Sequence, residues 1–147
     1  AIARYCLRNA FHLNIEIKPT PGTAYPTGQA VATQAARLWR GAPTPPLLTS
    51  FDVPALEGAL QAQPHLPRGL LLETLWPGWL DTALRLGCVA VVCDHVLWDA
   101  ESVGQAKGAG LRTLSYTVND AMESQRLLDL GTDGIITDRV DLFAPSV

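Results

Sequence analysis

The chain reads Leu86-Gly87-Cys88-Val89-Ala90-Val91-Val92 in its middle and Leu130-Gly131-Thr132-Asp133-Gly134-Ile135-Ile136 near its end. In both stretches a segment of helical composition ends at a glycine, and a short apolar run rich in valine or isoleucine follows. Glycine suits the left-handed residue that closes a helix, and short runs of this kind are typical of strands covered on both faces. The two stretches therefore predict helix-to-strand junctions in a parallel α/β fold.

The same alternation extends along the whole chain. Strands are predicted at residues 13–18, 46–51, 68–73, 88–93, 112–118 and 134–137, and helices at residues 28–40, 53–63, 79–86, 100–107 and 121–130. Successive strands are roughly 20 to 30 residues apart, which suits βαβ units and a parallel sheet. Residues 19–26 and 42–46 are predicted as loops, and residues 1–7 as the late part of a helix. Because neither loop resembles an interdomain linker, we expect residues 1–147 to form a single domain.

Two helix starts carry capping signals. Asp120 with Glu123 three residues later has the form of a capping box. Asp52 precedes a first helical turn that accepts Pro54. Both patterns support the helices predicted after them.

Composition narrows the class of protein. The 147 residues are 48% hydrophobic, and a net charge of -3 with 11 scattered Lys and Arg offers no basic stripe for nucleic acid. No apolar run is long enough to span a bilayer, and the first residues lack a secretory signal, so we expect no membrane span and a cytoplasmic protein. The three cysteines, Cys6, Cys88 and Cys93, include no CxxC pair and are expected to be buried free thiols.

Two parallel architectures fit these elements. An open doubly wound sheet is expected to carry a glycine-rich nucleotide turn, but no G-x-G-x-x-G follows any predicted strand. A (β/α)8 barrel needs eight strands and about 250 residues, more than this chain supplies. At this point both remain open.

The first predicted strand has an unusual charge pattern in Asn14-Ile15-Glu16-Ile17-Lys18. Side chains alternate along a strand, so Glu16 and Lys18 share one face and Ile15 and Ile17 the other. A buried charge is costly unless it is paired or holds an ion. The pattern therefore indicates either an internal ion pair or a functional site, and spacing alone does not choose between them.

Four motifs in sequence carry a family resemblance. They are Asn14-Ile15-Glu16-Ile17-Lys18-Pro19, Leu48-Thr49-Ser50-Phe51-Asp52, Tyr116-Thr117-Val118-Asn119-Asp120 and Gly131-Thr132-Asp133-Gly134-Ile135-Ile136-Thr137-Asp138. In order and spacing the chain resembles the glycerophosphodiester phosphodiesterases over essentially its whole length. The resemblance implies an α/β TIM (β/α)8 barrel of the phosphodiesterase type, with about six of the eight βα units present as the third to the eighth.

Several features of that family have no counterpart in this sequence. The family's His-Arg-Gly, Pro-Glu-Asn-Thr turn, Glu-x-Asp metal pair and second catalytic histidine all lie upstream of the matched region. The resemblance therefore implies a C-terminal fragment of a larger enzyme, with little or no activity alone.

The resemblance also implies a reaction and two roles. The family hydrolyses glycerophosphodiesters to glycerol 3-phosphate and an alcohol with a divalent metal, here Mg²⁺ or Ca²⁺ because carboxylate oxygens suit hard cations. Glu16 corresponds to a metal carboxylate and Lys18 to the catalytic lysine that faces the phosphate. The strand alternation turns both side chains into one cavity.

Two further residues are implied as substrate contacts. Glu73 ends a predicted strand, where barrel enzymes place functional groups, although a helix N-terminal carboxylate is the alternative. Tyr116 stands where the family usually carries tryptophan, and core packing is its alternative. His95 is expected to be a loop residue rather than a proton carrier, and Asn119 and Asp120 to have capping roles.

Two other functions stay open. The chain could be a non-catalytic barrel remnant that self-associates through its two unpaired sheet edges. It could also belong to a different metal-dependent barrel enzyme that shares only the Glu-x-Lys strand, in which case no His-Arg-Gly would be encoded upstream.

Overall fold

The computed structural model describes residues 1–143 as alternating helices and strands. The helices are α1 (Ile2–Arg8), α2 (Ala24–Leu38), α3 (Val53–Ala62), α4 (Trp79–Arg85), α5 (Ala100–Gly108) and α6 (Ala121–Asp129), with a short 3-10 helix at His95–Leu97. The strands are β1 (Asn14–Glu16), β2 (Leu47–Ser50), β3 (Arg68–Leu72), β4 (Ala90–Asp94), β5 (Arg112–Tyr116) and β6 (Gly134–Ile135). Within this part of the chain no helix is both long and apolar enough to cross a bilayer.

The six strands form one parallel sheet in the order in which they occur along the chain. An open doubly wound sheet reverses its strand order at a switch point, and this sheet does not. The doubly wound alternative is therefore wrong. In the described part of the chain β1 and β6 are the two edges of the sheet, and neither has a strand on its outer side.

Strong curvature of the sheet brings distant strands into contact. Phe51, directly after β2, packs against Tyr116 at the end of β5 with ring centroids 5.9 Å apart. Neighbouring strands lie about 4.8 Å apart, so a flat sheet would separate β2 from β5 by about 14 Å. The sheet therefore curls into a partial barrel, and the (β/α)8 prediction with six of its units present is confirmed.

The two faces of the sheet have different partners. Ile17 and Leu48 point outward, where they pack with α2 and α3, and Leu70 and Val91 pack outward in the larger core shared with the later helices. The concave inner face carries the alternate residues, beginning with Asn14 on β1. This separation is the alternation that the sequence predicted for β1.

One predicted boundary is wrong for a simple physical reason. Residues 24–26 were expected to continue the loop that follows β1, but α2 begins at Ala24 and includes Pro26. A proline in the first helical turn loses no hydrogen bond, because the N–H groups there have no intrahelical partner. Proline was therefore a poor signal for a loop at this position.

Several strands are shorter than predicted. β1 ends at Glu16 rather than Lys18, β5 at Tyr116 rather than Val118, and β6 at Ile135 rather than Thr137. Single backbone bonds still follow each strand; Ile17 donates to Thr49, for example. The regular ladder of these three strands therefore ends one or two residues earlier than predicted, and only single bonds continue beyond it.

Other predicted local signals are confirmed. Gly87 and Gly131 have φ values of 62° and 81°, so both adopt the left-handed conformation that closes α4 and α6. The three cysteines are free and buried. The Asp120 carboxylate accepts from the backbone N–H of Glu123 at 2.9 Å, which caps α6.

A buried arginine holds the amino end of β3. Arg68 is 4% exposed, and its guanidinium donates to four backbone carbonyls, those of Pro64, Leu66, Leu86 and Gly87. Burial lowers its pKa. Because these carbonyls follow α3 and end α4, one side chain ties two helix ends to the sheet.

Two glycines allow α2 and α3 to pack at backbone contact. A Cβ atom on Gly28 would lie 1.9 Å from the carbonyl oxygen of Ala55, and one on Gly58 would lie 2.1 Å from that of Tyr25. Each obstacle is backbone and cannot rotate away. The two helices are therefore closer than any larger residue permits.

We predict that Gly28→Ala and Gly58→Ala each lower the free energy of unfolding by about 1–3 kcal/mol, because an added methyl group overpacks the interface. Gly104→Ala is the matched control, since nothing lies within 4 Å of the Cβ position in α5. It should raise stability by about 0.5–1 kcal/mol through helix propensity. Urea unfolding measures the stability of all three variants. If Gly28→Ala were as stable as the wild-type chain, the packing argument would be contradicted.

Candidate active site

Glu16 is the last residue of β1, and Lys18 follows it by two residues. The Lys18 Nζ atom lies 3.7 Å from Glu16 Oε2, and the two side chains are 77% and 35% exposed. An ion pair this exposed contributes little to stability. Of the two interpretations left open by the sequence, the ion pair does form, but in the described part of the chain it is exposed rather than internal.

Hydrogen bonds to β2 fix the backbone around this pair. Thr49 Oγ1 donates at 2.9 Å to Oδ1 of Asn14, which lies two residues before Glu16 on the same face of β1. Ser50 Oγ donates to the carbonyl of Ile17 at 2.8 Å. The chain is thus held on both sides of Glu16, whereas the side chain of Lys18 is free to reorient.

Tyr116 crosses the inner face from β5 to β3. Its hydroxyl donates to the carbonyl of Leu72 at 2.9 Å. Burial, followed by the negative charges of Asp94 and Glu73, raises the pKa of Tyr116 to about 12. The hydroxyl therefore stays protonated and bound to backbone, and the ring packs against Phe51.

Glu73 follows β3 directly and is exposed. Its alternative role as a helix N-terminal carboxylate is wrong, because α4 begins only at Trp79 with Gly78 as its N-cap. The helix dipole acts only over the first turn. Glu73 instead sits at the carboxyl end of the sheet, where its charge acts on Tyr116.

Sequence reasoning gave no role to Phe51 or Asp94, although both lie at this edge of the sheet. Phe51 is 44% exposed and meets Tyr116 edge to face at 86°. Asp94 is the last residue of β4 and is half-buried. The predicted strand stopped at Cys93, and one more residue of alternation would have placed Asp94 on the inner face.

Glu16 offers a carboxylate of the kind of ligand that Mg²⁺ and Ca²⁺ prefer. Among residues 1–143 no group of three or more His, Cys, Asp or Glu side chains is arranged to hold a metal ion. Glu16 thus fits a divalent site, but only as one contributor to it.

His95 takes part in a hydrogen-bond network with Glu123 and Arg126. Its Nδ1 atom lies 2.8 Å from Glu123 Oε1, and Arg126 donates to Glu123 and to the carbonyls of His95 and Trp98. The bond from Arg126 is the main reason that the pKa of Glu123 falls to about 2. The network joins the segment after β4 to α6. The Glu123 side chain binds His95 and Arg126 in this network and does not complete a capping box with Asp120.

The last motif organises the end of the sheet. Asp133 Oδ2 accepts from the backbone N–H of Thr113 at 2.8 Å, which joins β6 to β5. Asn119 Oδ1 accepts from the N–H of Asp138 at 3.0 Å. Asn119 therefore secures the segment after β6 rather than capping α6.

Comparison with known proteins identifies the family. The model of the "Glycerophosphoryl diester phosphodiesterase family" matches residues 1–142. The chain belongs to this family. A glycerophosphodiester phosphodiesterase of Bacillus subtilis (strain 168) is 34% identical over 101 residues, which cover 66% of this chain and 34% of that protein. The resemblance in the four motifs is thereby confirmed.

Solved structures agree on the fold of this glycerophosphoryl diester phosphodiesterase family member. An Oleispira antarctica phosphodiesterase in complex with the product sn-glycerol-3-phosphate has a TM-score of 0.78 and 24% identity, over 89% of this chain and 53% of its own. Orotidine 5'-phosphate decarboxylase from Pyrococcus horikoshii has a TM-score of 0.66 and 14% identity, over 99% of this chain and 73% of its own. Likeness at these identities shows the fold alone. The chain spans about half of the phosphodiesterase and about a third of the Bacillus relative.

We predict that Glu123→Gln lowers the free energy of unfolding near neutral pH. The variant should also lose less of that free energy than the wild-type chain when the pH is lowered. The folded pKa of Glu123 is about 2, below the ordinary 4.5. Its stabilisation is therefore present above about pH 4.5 and is lost as the pH falls toward 2. Urea unfolding should show a loss of about 1 kcal/mol at neutral pH that shrinks in acid.

Glu101→Gln is the matched control for this experiment, since Glu101 lies exposed in the first turn of α5. It should leave the acid profile of the wild-type chain unchanged. Parallel acid profiles for Glu123→Gln and wild type would contradict the role given to the network.

Proposed function

We propose that this chain is the C-terminal barrel part, residues 1–147, of an enzyme that hydrolyses glycerophosphodiesters to glycerol 3-phosphate and an alcohol with Mg²⁺ or Ca²⁺. The observation that carries the proposal is the pair Glu16 and Lys18, 3.7 Å apart at the carboxyl end of β1 in a chain that belongs to the phosphodiesterase family. In parallel barrels the carboxyl ends of the strands are where functional groups gather.

The charges of the pair suit a phosphodiester. A diester phosphate is anionic and repels nucleophiles, so its cleavage needs cations beside the non-bridging oxygens. Lys18 supplies one positive charge on a side chain that is free to reach the phosphate. Glu16 would be one ligand of the divalent ion, which when bound would supply further positive charge to the phosphate oxygens.

Glu73 and Tyr116 are the proposed substrate contacts. The Tyr116 ring and the neighbouring Phe51 ring form an apolar wall across the concave face. Glu73 adds an exposed hydrogen-bond acceptor at the end of β3. Such a wall with a few polar groups is the usual composition of a small-molecule site.

Proton transfer is assigned to residues outside this chain. His12 precedes β1 and His65 lies between α3 and β3, so both belong to the amino ends of the strands, while His95 contacts Glu123. We therefore propose that the isolated chain has little or no hydrolase activity. The proposed setting is the turnover of lipid-derived glycerophosphodiesters in the cytoplasm.

We predict that the isolated chain binds glycerol 3-phosphate in the presence of Mg²⁺ or Ca²⁺ but does not release it from glycerophosphodiesters. NMR titration should show shifts at Lys18, and Lys18→Gln should weaken binding by about fivefold or less, as expected for an exposed charge. Lys107→Gln, which removes the same charge at the end of α5, should bind like wild type. Robust metal-dependent hydrolysis by the isolated chain would contradict the proposed incompleteness, and equal binding by Lys18→Gln would contradict the phosphate role.

One observation favours a second function, self-association. An open groove of about 1020 Å³ lies beside the unpaired edge of β1, lined mainly by apolar residues that include Ile2, Leu7, Leu13 and Ile15. The unpaired edge of β6 belongs to the same parallel sheet. We propose a second copy of the chain as the occupant, because its β6 edge offers the backbone groups that β1 needs.

We predict that size-exclusion chromatography with light scattering detects a concentration-dependent oligomer of the isolated chain, because pairing at an open sheet edge buries backbone groups and apolar surface. Leu7→Glu, which places a charge in the groove, should shift the population to monomer. A monomer at all concentrations would contradict self-association, as would an oligomer that Leu7→Glu leaves intact.

A further inference from the structure

We propose that a cleft between the carboxyl ends of α2 and α3 binds a small organic phosphate, one that carries an apolar ring beside its phosphate group. Residues from 33–45 line one side of this basic cleft, and residues from 63–66 line the other. Both segments lead into the amino ends of strands. The cleft is therefore at the opposite end of the sheet from the candidate active site, and the inference does not rest on the proposed function.

The basic cleft has a suitable size and firmly held walls. Its volume is about 590 Å³, and small-molecule sites in proteins usually measure about 300–1000 Å³. The helices on its two sides pack at backbone contact through Gly28 and Gly58. On the α3 side, Arg68 donates to the carbonyls of Pro64 and Leu66 and holds that loop against the sheet. A small organic molecule therefore fits between walls that already have their shape.

The lining of the basic cleft is positively charged, although the whole chain has a net charge of -3. Arg37, Arg40 and His65 line it together with no Asp or Glu. The sequence has no acidic residue at all in 17–51 or in 58–72. Neither Arg37 nor Arg40 forms an ion pair with any residue in 1–143. Two guanidinium charges therefore lie at one cleft without a carboxylate partner in the described chain.

The helix ends at the cleft account for only part of this charge. Arg37 lies in the last turn of α2, where a cation is favoured by the helix dipole. A helix carboxyl end carries about half a negative charge, so the ends of α2 and α3 together offset about one of the two arginines. Arg68 already binds carbonyls that follow α3. The basic cleft therefore keeps a net positive charge and attracts an anion.

A phosphate attached to an apolar ring matches the groups that line the cleft. Guanidinium groups donate hydrogen bonds in a fork that fits phosphate oxygens. Arg37 and Arg40 are three residues apart and line the same cleft, so one phosphate can lie between them. Trp39, Pro45 and Leu66 supply an apolar wall beside the arginines. A bare phosphate ion would leave this wall in water, whereas a ring would cover it.

NMR titration of the 147-residue chain with phenyl phosphate tests the inference. EDTA in the buffer removes any divalent metal. Phenyl phosphate should shift resonances of Trp39, Arg40 and His65 and bind about two- to fivefold more tightly than inorganic phosphate, because its ring covers apolar surface. Phenol, which has the ring without the charge, should shift none of them. Equal binding of phenyl phosphate and inorganic phosphate, or shifts that spare these residues, would overturn the inference.

Three substitutions then identify the residues. Arg37→Gln and Arg40→Gln each remove one exposed, unpaired charge, and each should weaken phenyl phosphate binding by about two- to fivefold. Arg112→Gln is the matched control, since Arg112 is an exposed arginine at the amino end of β5, two strands beyond β3 in the same sheet. It should bind phenyl phosphate like wild type. Wild-type affinity in both α2-end variants, or an equal loss in Arg112→Gln, would overturn the inference.

Lys18→Gln separates the basic cleft from the phosphate role proposed at β1. This variant should keep the phenyl phosphate shifts at Trp39 and His65, because Lys18 follows the carboxyl end of β1 and the cleft lies at the amino ends of the strands. Loss of those shifts in Lys18→Gln would overturn the inference. Their persistence, in a variant that no longer binds glycerol 3-phosphate, would support two separate phosphate sites.

Discussion

The curl of the parallel sheet is the constraint on which the rest of the structure depends. It brings Phe51 against Tyr116 across two intervening strands, at 5.9 Å between ring centroids. The same curl turns the alternate residues of every strand toward one concave face. Without it, Phe51 and Tyr116 would lie on strands about 14 Å apart along a flat sheet. The curvature thus arranges the carboxyl ends of the strands around one concave surface.

Much of the fold was predictable because its signals are local. Alternation in Asn14-Ile15-Glu16-Ile17-Lys18 gave the two faces of β1, and Gly87 and Gly131 gave the helix ends, since positive φ is a property of single residues. For the candidate site, the same alternation placed Glu16 and Lys18 on one face. A sequence pattern is reliable where one residue or one strand determines the geometry.

What the sequence did not predict depends on contacts between distant segments. Arg68 looked like the first residue of a strand, but its role comes from carbonyls that α3 and α4 bring to it. Asp94 was missed because the predicted strand ended one residue early. Phe51 gains its place in the site only through Tyr116, which lies more than sixty residues away in the chain. Such contacts appear only after the sheet has closed on itself.

The four carbonyl groups that bind Arg68 have a consequence for how the fold responds to low pH. All four of its hydrogen-bond acceptors are neutral peptide oxygens, so no partner of this guanidinium gains or loses a proton on acidification. The fastening at the amino ends of the strands should thus persist in acid, while the network of Glu123 on the helix side weakens. Acid would therefore destabilise the partial barrel first where the Glu123 network holds α6, and the amino ends of the strands around Arg68 would be less affected.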